Sequence, residues 1–225
     1  MSDLRLVVFD VDGTLVDSQA DIVASMSQAF GAEGLTPPAR AQILGIVGLS
    51  LPQAIHALAP DQSDTSRGRI VAAYKDAYAR LRRENGAASS PLYPGIAELL
   101  RRLHGRETVL LGLATGKSRR GLDALLETHG IGPLFVTAQC ADDHPSKPHP
   151  AMLHSAMGDA GLGPEHCVMI GDTSFDIDMA RAARMASIGV GWGYHSVDRL
   201  SAASSVVEDV TGLEGAIHDI LEGAP

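Results

Sequence analysis

The sequence predicts an α/β fold: a parallel sheet with an all-helical subdomain inserted after the first strand. Three observations carry this. Short apolar runs rich in Val, Leu and Ile recur along the chain, helix-length segments separate them, and the stretch from about Asp17 to Pro91 breaks that alternation with helices alone.

Leu4–Phe9 is a near-continuous apolar run, the pattern of a strand covered on both faces. Thr108–Ala114, Leu134–Thr137, Cys167–Ile170 and Ser187–Val190 read the same way. Between them, Ile96–Leu103 and Gly121–Leu126 carry apolar residues at helical spacing, with Gly130 as a C-cap, and Pro150–Ala160 and Asp176–Met185 are further helices. In the interrupting stretch, helices are expected over Ala20–Ala32, after Thr36-Pro37-Pro38, after Ser50-x-x-Gln53 (a capping-box pattern), and in a long segment ending near Asn85. Gly86–Pro91 reads as a linker. The expected division is a core of 1–16 and 92–225 with a helical unit of 17–91.

Composition narrows the function classes. With 45% hydrophobic and 20% charged residues, the chain reads as an ordinary soluble globular protein. A formal net charge of −9 argues against nucleic acid as a main partner, and the paired arginines 82–83, 101–102 and 119–120 read as solvated helix faces. The two cysteines, Cys140 and Cys167, cannot form a disulfide framework and suit a reducing compartment. No apolar run approaches the ~20 residues of a membrane span and the N-terminus lacks signal-peptide architecture, so a cytoplasmic location is expected. Lysine is rare: Lys75, Lys117 and Lys147 are the only ones, which hints at places where a compact ammonium is needed.

The chemistry gathers where the apolar runs end. Asp10-Val11-Asp12-Gly13-Thr14 follows the first, Thr115-Gly116-Lys117-Ser118 the second, and Gly171-Asp172-Thr173-Ser174-Phe175-Asp176 the fourth; Pro145-Ser146-Lys147-Pro148 lies in the loop before the Pro150 helix. Ligands of an open parallel sheet bind outside the carboxyl ends of its strands. Two like charges 4 Å apart repel by roughly 4 kcal/mol at an effective dielectric of about 20, so Asp10, Asp12 and Asp172 together call for a cation. A hard divalent ion, Mg²⁺, suits all-oxygen ligands. With the metal and Lys147, such a pocket accepts a phosphate dianion; Thr115 offers a hydroxyl and Gly116 an approachable backbone N–H. Asp10 is then the nucleophile and Asp12 the proton carrier.

The motifs "DVDGTLVDS", "ATGKS", "SKPHP" and "GDTSFDID", in this order, resemble those of the haloacid dehalogenase superfamily, and "YPGIAELLRRL" and "IGVGWGYHS" are similar to its phosphoglycolate phosphatase-like branch. The resemblance spans essentially the whole chain. It implies a Rossmann-like parallel sheet core with an inserted all-α helical cap, and an aspartyl-phosphate mechanism. Carried over residue by residue, it implies Asp10 as nucleophile and metal ligand, and Asp12 as acid/base that also binds metal through its backbone carbonyl. Thr115 and Lys147 would hold phosphate, Asp172 would bind metal, and Asp176 would support the metal's water shell or orient Lys147. The chain departs from the pattern twice: Gly116 stands where relatives often have Asn, and Arg184 follows Ala183 where they often end the helix with Ala-Gly.

The expected activity is thus a Mg²⁺-dependent phosphatase for a small phosphorylated metabolite, 2-phosphoglycolate being the named candidate. The alternatives are a phosphosugar mutase of the same superfamily and a non-enzymatic aspartyl-phosphate switch. Gly48-Leu49-Ser50, opening a cap helix, is the expected substrate-facing stretch. Lys117 reads equally as a site residue and as a solvated lysine; His149 and His195 read as structural or surface residues, and Asp142-Asp143 as a loop. Monomer and homodimer both stay open.

Overall fold

The computed structural model describes residues 4–223. Its elements, in order, are β1 (Arg5–Phe9), α1 (Gln19–Ala32), α2 (Arg40–Leu44), α3 (Leu51–Leu58), α4 (Asp64–Asn85), α5 (Ile96–His104), β2 (Val109–Thr115), α6 (Arg119–His129), β3 (Thr137–Cys140), α7 (Ala151–Ala160), β4 (Cys167–Gly171), α8 (Ser174–Ala182), β5 (Ala186–Val190), β6 (Ser205–Val207) and α9 (Val210–Glu222).

Six parallel strands run in the order β3-β2-β1-β4-β5-β6. From β1 the chain builds β2 and β3 outward on one side, then crosses back to place β4 on the other, so the order reverses beside β1, where ligands of such sheets sit. Both faces of β1 are covered, as its unbroken apolar pattern requires. Val7 and Phe9 enter a cluster with Leu99 and Leu103 of α5, Leu122 of α6 and Leu213 of α9, while Leu6 and Val8 face Met152 of α7 and Met179 of α8. Each such buried side chain contributes roughly 1.5–3 kcal/mol.

Helices α1–α4 hold a separate apolar cluster: Ile22, Met26 and Phe30 of α1 pack with Ile43, Ile55 and Ile70. The two passages between these helices and the sheet lie side by side. Val16 bridges Leu92, the Asp17 N–H donates to the Pro91 carbonyl, and the Tyr93 N–H donates to the Leu15 carbonyl.

Several expectations need correction. The third strand is Thr137–Cys140, not Leu134–Thr137; Gly132–Leu134 form a 3₁₀ turn and Val136 is 55% exposed, so that apolar run leads into the strand rather than forming it. Strand β6 has no apolar run to announce it. The capping box at Ser50 does not form: its side chain makes no cap bond, and its N–H leaves the helix for Ser146 Oγ at 2.8 Å. Gly86–Pro91 is anchored rather than a loose linker, since Ser89 Oγ and Asn85 Nδ2 both bond Asp21 of α1. Gly130 does cap its helix in the left-handed conformation. Arg184 takes that same conformation (φ 59°) within a closing motif in which the Met185 N–H bonds the Ala180 carbonyl. Cys140 and Cys167 are buried free thiols.

Candidate active site

The carboxyl ends of β1, β2 and β4 bring the motifs together. Asp10 follows β1, Thr115 ends β2 and Asp172 follows β4. Asp176 lies in the first turn of α8, where Thr173 caps it, and Lys147 reaches in from the loop before α7.

Asp10 is buried, and neither of its oxygens accepts a hydrogen bond, although Lys147 Nζ stands 2.9 Å from Oδ1 as an ion pair. Burial pushes its carboxyl up to about 7; Lys147 pulls the other way, and Asp176 and Asp12 add to the rise. Asp172 is likewise raised well above the carboxylate range, by burial first and then by Asp176 and Asp10. For Lys147, burial disfavours the ammonium, but Asp10 and Asp176 outweigh it and the pKa is raised. Lys147 Nζ donates to Asp176 Oδ1 at 2.7 Å, while the Thr173 N–H and hydroxyl hold Asp176 Oδ2.

Asp10, Asp172 and Asp176 each offer an oxygen within 4.8 Å of the others. Three carboxylates so close, two of them pushed toward the neutral form, with Asp10 Oδ2 lacking any partner, fit a hard cation. Thr14 Oγ1 (2.9 Å) and the Tyr194 N–H (2.8 Å) orient Asp172. Gly13 makes that approach possible: a Cβ there would lie 2.2 Å from Asp172 Oδ2, and its φ of +84° suits glycine.

Asp12 points elsewhere. Its carboxylate takes Lys117 Nζ at 2.7 and 2.9 Å and the Ser18 hydroxyl, and it does not share the three-carboxylate cluster. Lys117 is buried; burial disfavours its charge, yet Asp12 outweighs this and raises the pKa. Of the two readings of this lysine, the solvated one is wrong. Thr115 is buried, and its Oγ1 accepts from the Lys117 N–H at 3.3 Å, which leaves its own hydroxyl proton to donate.

Between this rim and α1–α4 lies a cavity of about 560 Å³, walled by Asp10, Asp12, Thr115, Gly116, Lys117 and the Gly48-Leu49-Ser50 stretch. Gly48 and Leu49 meet the rim by backbone: a Cβ on Gly116 would sit 2.6 Å from both their carbonyl oxygens. The departure from the relatives' Asn is therefore a matter of space. Lys75, Tyr74, Tyr78, Arg82 and Arg120 also line this cavity; Arg82 is half-buried, while Lys75 and Arg120 are solvent-exposed as well. Arg119 pairs with Asp143 instead, and Asp142 lines the cavity.

The sequence reading missed Thr14, Ser18, Thr173, Ser146 and Tyr194. All five lie inside quoted motifs, but their roles depend on partners elsewhere in the fold. His195 is structural: it is buried, its Nδ1 accepts the Ser174 N–H at 3.0 Å, and its Nε2 meets the Gly45 carbonyl at 3.2 Å. Burial, then Arg199, lowers its pKa. His149 is exposed.

A profile of the haloacid dehalogenase-like hydrolase family matches residues 7–190. The chain is 37% identical over 224 residues to a protein of Dickeya dadantii named probable phosphatase IndB, spanning 96% of this chain and 95% of that one. It is 31% identical over 210 residues to the phosphoglycolate phosphatase of Vibrio vulnificus strain YJ016, spanning 89% and 90%. A crystal structure of a hydrolase from Pseudomonas syringae superposes with a TM-score of 0.84 at 27% identity, over 96% of this chain and 99% of that one. The strand ends thus gather three close carboxylates, a buried lysine and a threonine hydroxyl around one cavity, the arrangement of a hydrolase site. The chain belongs to the haloacid dehalogenase-like hydrolase family. No described helix is long and apolar enough to cross a membrane.

Proposed function

We propose that this enzyme is a Mg²⁺-dependent phosphomonoesterase that acts on a small phosphorylated metabolite through an aspartyl-phosphate on Asp10, with residues 17–91 as a cap over a core of 1–16 and 92–225. The observation that carries it is the Asp10 carboxylate: buried, facing the cavity, ion-paired with Lys147 at 2.9 Å through Oδ1, and with no partner at Oδ2. Its Oδ2 can attack without first giving up a bond.

Asp10, Asp172 and the Asp12 backbone carbonyl would hold Mg²⁺, with Asp176 supporting its waters. Bound there, the ion supplies the positive charge that admits a phosphate dianion and offsets the negative charge on its oxygens. Lys147 and the Thr115 hydroxyl bind phosphoryl oxygens. An Asp10 oxygen forms a bond to phosphorus as the bond to the leaving oxygen breaks, and Asp12 gives that oxygen its proton. Asp12 then takes a proton from the water that attacks the phosphorus, and Asp10 is regenerated.

2-Phosphoglycolate marks the small end of the substrate class, as the names of several relatives suggest. At liquid water's share of about 30 Å³ per non-hydrogen atom, it fills at most ~270 Å³. The cavity of about 560 Å³ leaves room for a larger leaving group. The test is phosphate release from a panel of phosphomonoesters with Mg²⁺ and with chelator. Metal-dependent release supports the reading; a stable label on Asp10 without turnover would replace it with the switch.

A further inference from the structure

Lys117 is the buried cation that the reaction sequence above leaves without a task. Its Nζ holds both Asp12 oxygens, lies 3.2 Å from the Tyr78 hydroxyl, and stands 5.1 Å from the centre of that ring. Ser18 adds another bond to Asp12 Oδ1. So held, the Asp12 carboxylate is committed on both oxygens and cannot turn to a leaving oxygen until Lys117 lets go.

A buried ammonium does not give up its carboxylate for nothing, because an unpartnered charge in that setting is strongly disfavoured. It gives the carboxylate up to another anion. The surrounding wall is built to receive one. Lys75, Arg82 and Arg120 face the same cavity, and none of them is in an ion pair with a described carboxylate. Apart from Asp10 and Asp12, the one acid on that wall is Asp142, whose Oδ2 accepts the Arg119 N–H. Four cations facing one cavity contrast with a chain whose net charge is −9.

We infer that Lys117 is a specificity-determining residue: a second anionic group on the substrate's leaving portion, carboxylate or phosphate, takes Lys117 from Asp12 and so frees Asp12 to face the bridging oxygen. Tyr78, on α4, keeps the ammonium in the cavity while it changes partners. The inference rests on the phosphatase reading and adds to it a requirement on the substrate's charge.

The test uses three esters with Mg²⁺: 2-phosphoglycolate, ethylene glycol bisphosphate, and 2-hydroxyethyl phosphate as the uncharged match in size. The wild-type kcat/KM should favour the charged leaving groups by about tenfold or more, within the up to ~10⁵-fold that a site built to bond a polar group can reach. The two charged esters together tell carboxylate from phosphate. In Lys117→Met that preference should collapse, and Lys117→Arg should keep part of it. A charge-specific preference is a readout that a merely structural lysine would not move. Glycolate, but not ethylene glycol, should also compete with the uncharged ester on the wild-type enzyme, an arm that needs no variant to fold. A wild-type preference near one, a preference unchanged in Lys117→Met, or no inhibition by glycolate overturns the role of Lys117. No phosphate release from any ester overturns the phosphatase reading, and this inference with it.

Discussion

The rim of the sheet and the helices above it enclose one cavity by different means. At the rim, Asp10, Lys147, Asp172 and Asp176 are each at most 1% exposed and are fixed by their side chains. The helical side meets the rim largely through its backbone. The Gly48 and Leu49 carbonyls lie against Gly116, the Ser50 N–H bonds Ser146, and the Gly45 carbonyl meets His195. The rim is thus held by its side chains, whereas the helical wall touches it mostly through main chain, with the Tyr78 hydroxyl on Lys117 as a side-chain contact.

The sharpest way to break this contrast is at Asp10. Asp10→Asn should lower turnover by about 10⁴-fold or more while preserving the circular dichroism spectrum. The folded protein keeps the Asp10 proton up to about pH 7, whereas an unfolded carboxyl releases it near pH ~4. A raised acid pKa means that the folded state binds the extra proton in that window, so this group's effect on metal-free stability worsens as pH rises from about 4 to about 7 and is constant above. Thermal melts in chelator should therefore show Asp10→Asn gaining on the wild type across that range; a constant gap would contradict the burial argument.

Gly116→Asn tests the main-chain side. Its Cβ would need the space now filled by two carbonyl oxygens, so the 48–49 loop must lift. We expect kcat/KM to fall by roughly 10- to 100-fold, the scale of an ångström-sized misplacement, with faster hydrogen exchange over residues 45–51. Normal exchange and kinetics would show that the loop yields freely.

A smaller effect separates side chain from backbone within the substrate-facing stretch. Ser50→Ala should be close to neutral, since Ser50 contributes its N–H, whereas Ser146→Ala removes the acceptor and should cost about 1 kcal/mol in closure, read as a several-fold change in KM. Equal effects would refute the assignment. Least of all, Arg184→Gly should raise thermal stability by about 0.5–1 kcal/mol, by relieving a left-handed residue at a helix end without touching activity.

The same contrast explains what could be read from sequence. Asp10, Thr115 and Asp172 stood out because each sits where an apolar run stops, and strand burial on both faces makes such runs plain; Lys147, in a loop, was marked instead by its rarity and by the prolines around it. Strand β6, three residues long at the edge, lacks that signature. Lys117 stayed ambiguous because its partners, Asp12 and Tyr78, are far from it along the chain. Arg82 is half-buried and lines the cavity, and pairing with Arg83 in sequence does not reveal which side of a helix faces it; Arg120 is solvent-facing at the cavity's edge. Gly116 could be seen as a departure, but the reason for it lies in two carbonyls that only tertiary packing brings near.

The paired passages at Val16 and Leu92 give the molecule something like a hinge plate in place of two separate strings. Because Asp17 bonds Pro91 and Tyr93 bonds Leu15, the two passages are joined by a short ladder, which twisting one against the other would break. Ser18 is the next residue beyond that plate, and it grips both Asp12 and the Tyr194 hydroxyl. A displacement of the helices at this plate would therefore reach the Asp12 carboxylate through a single residue.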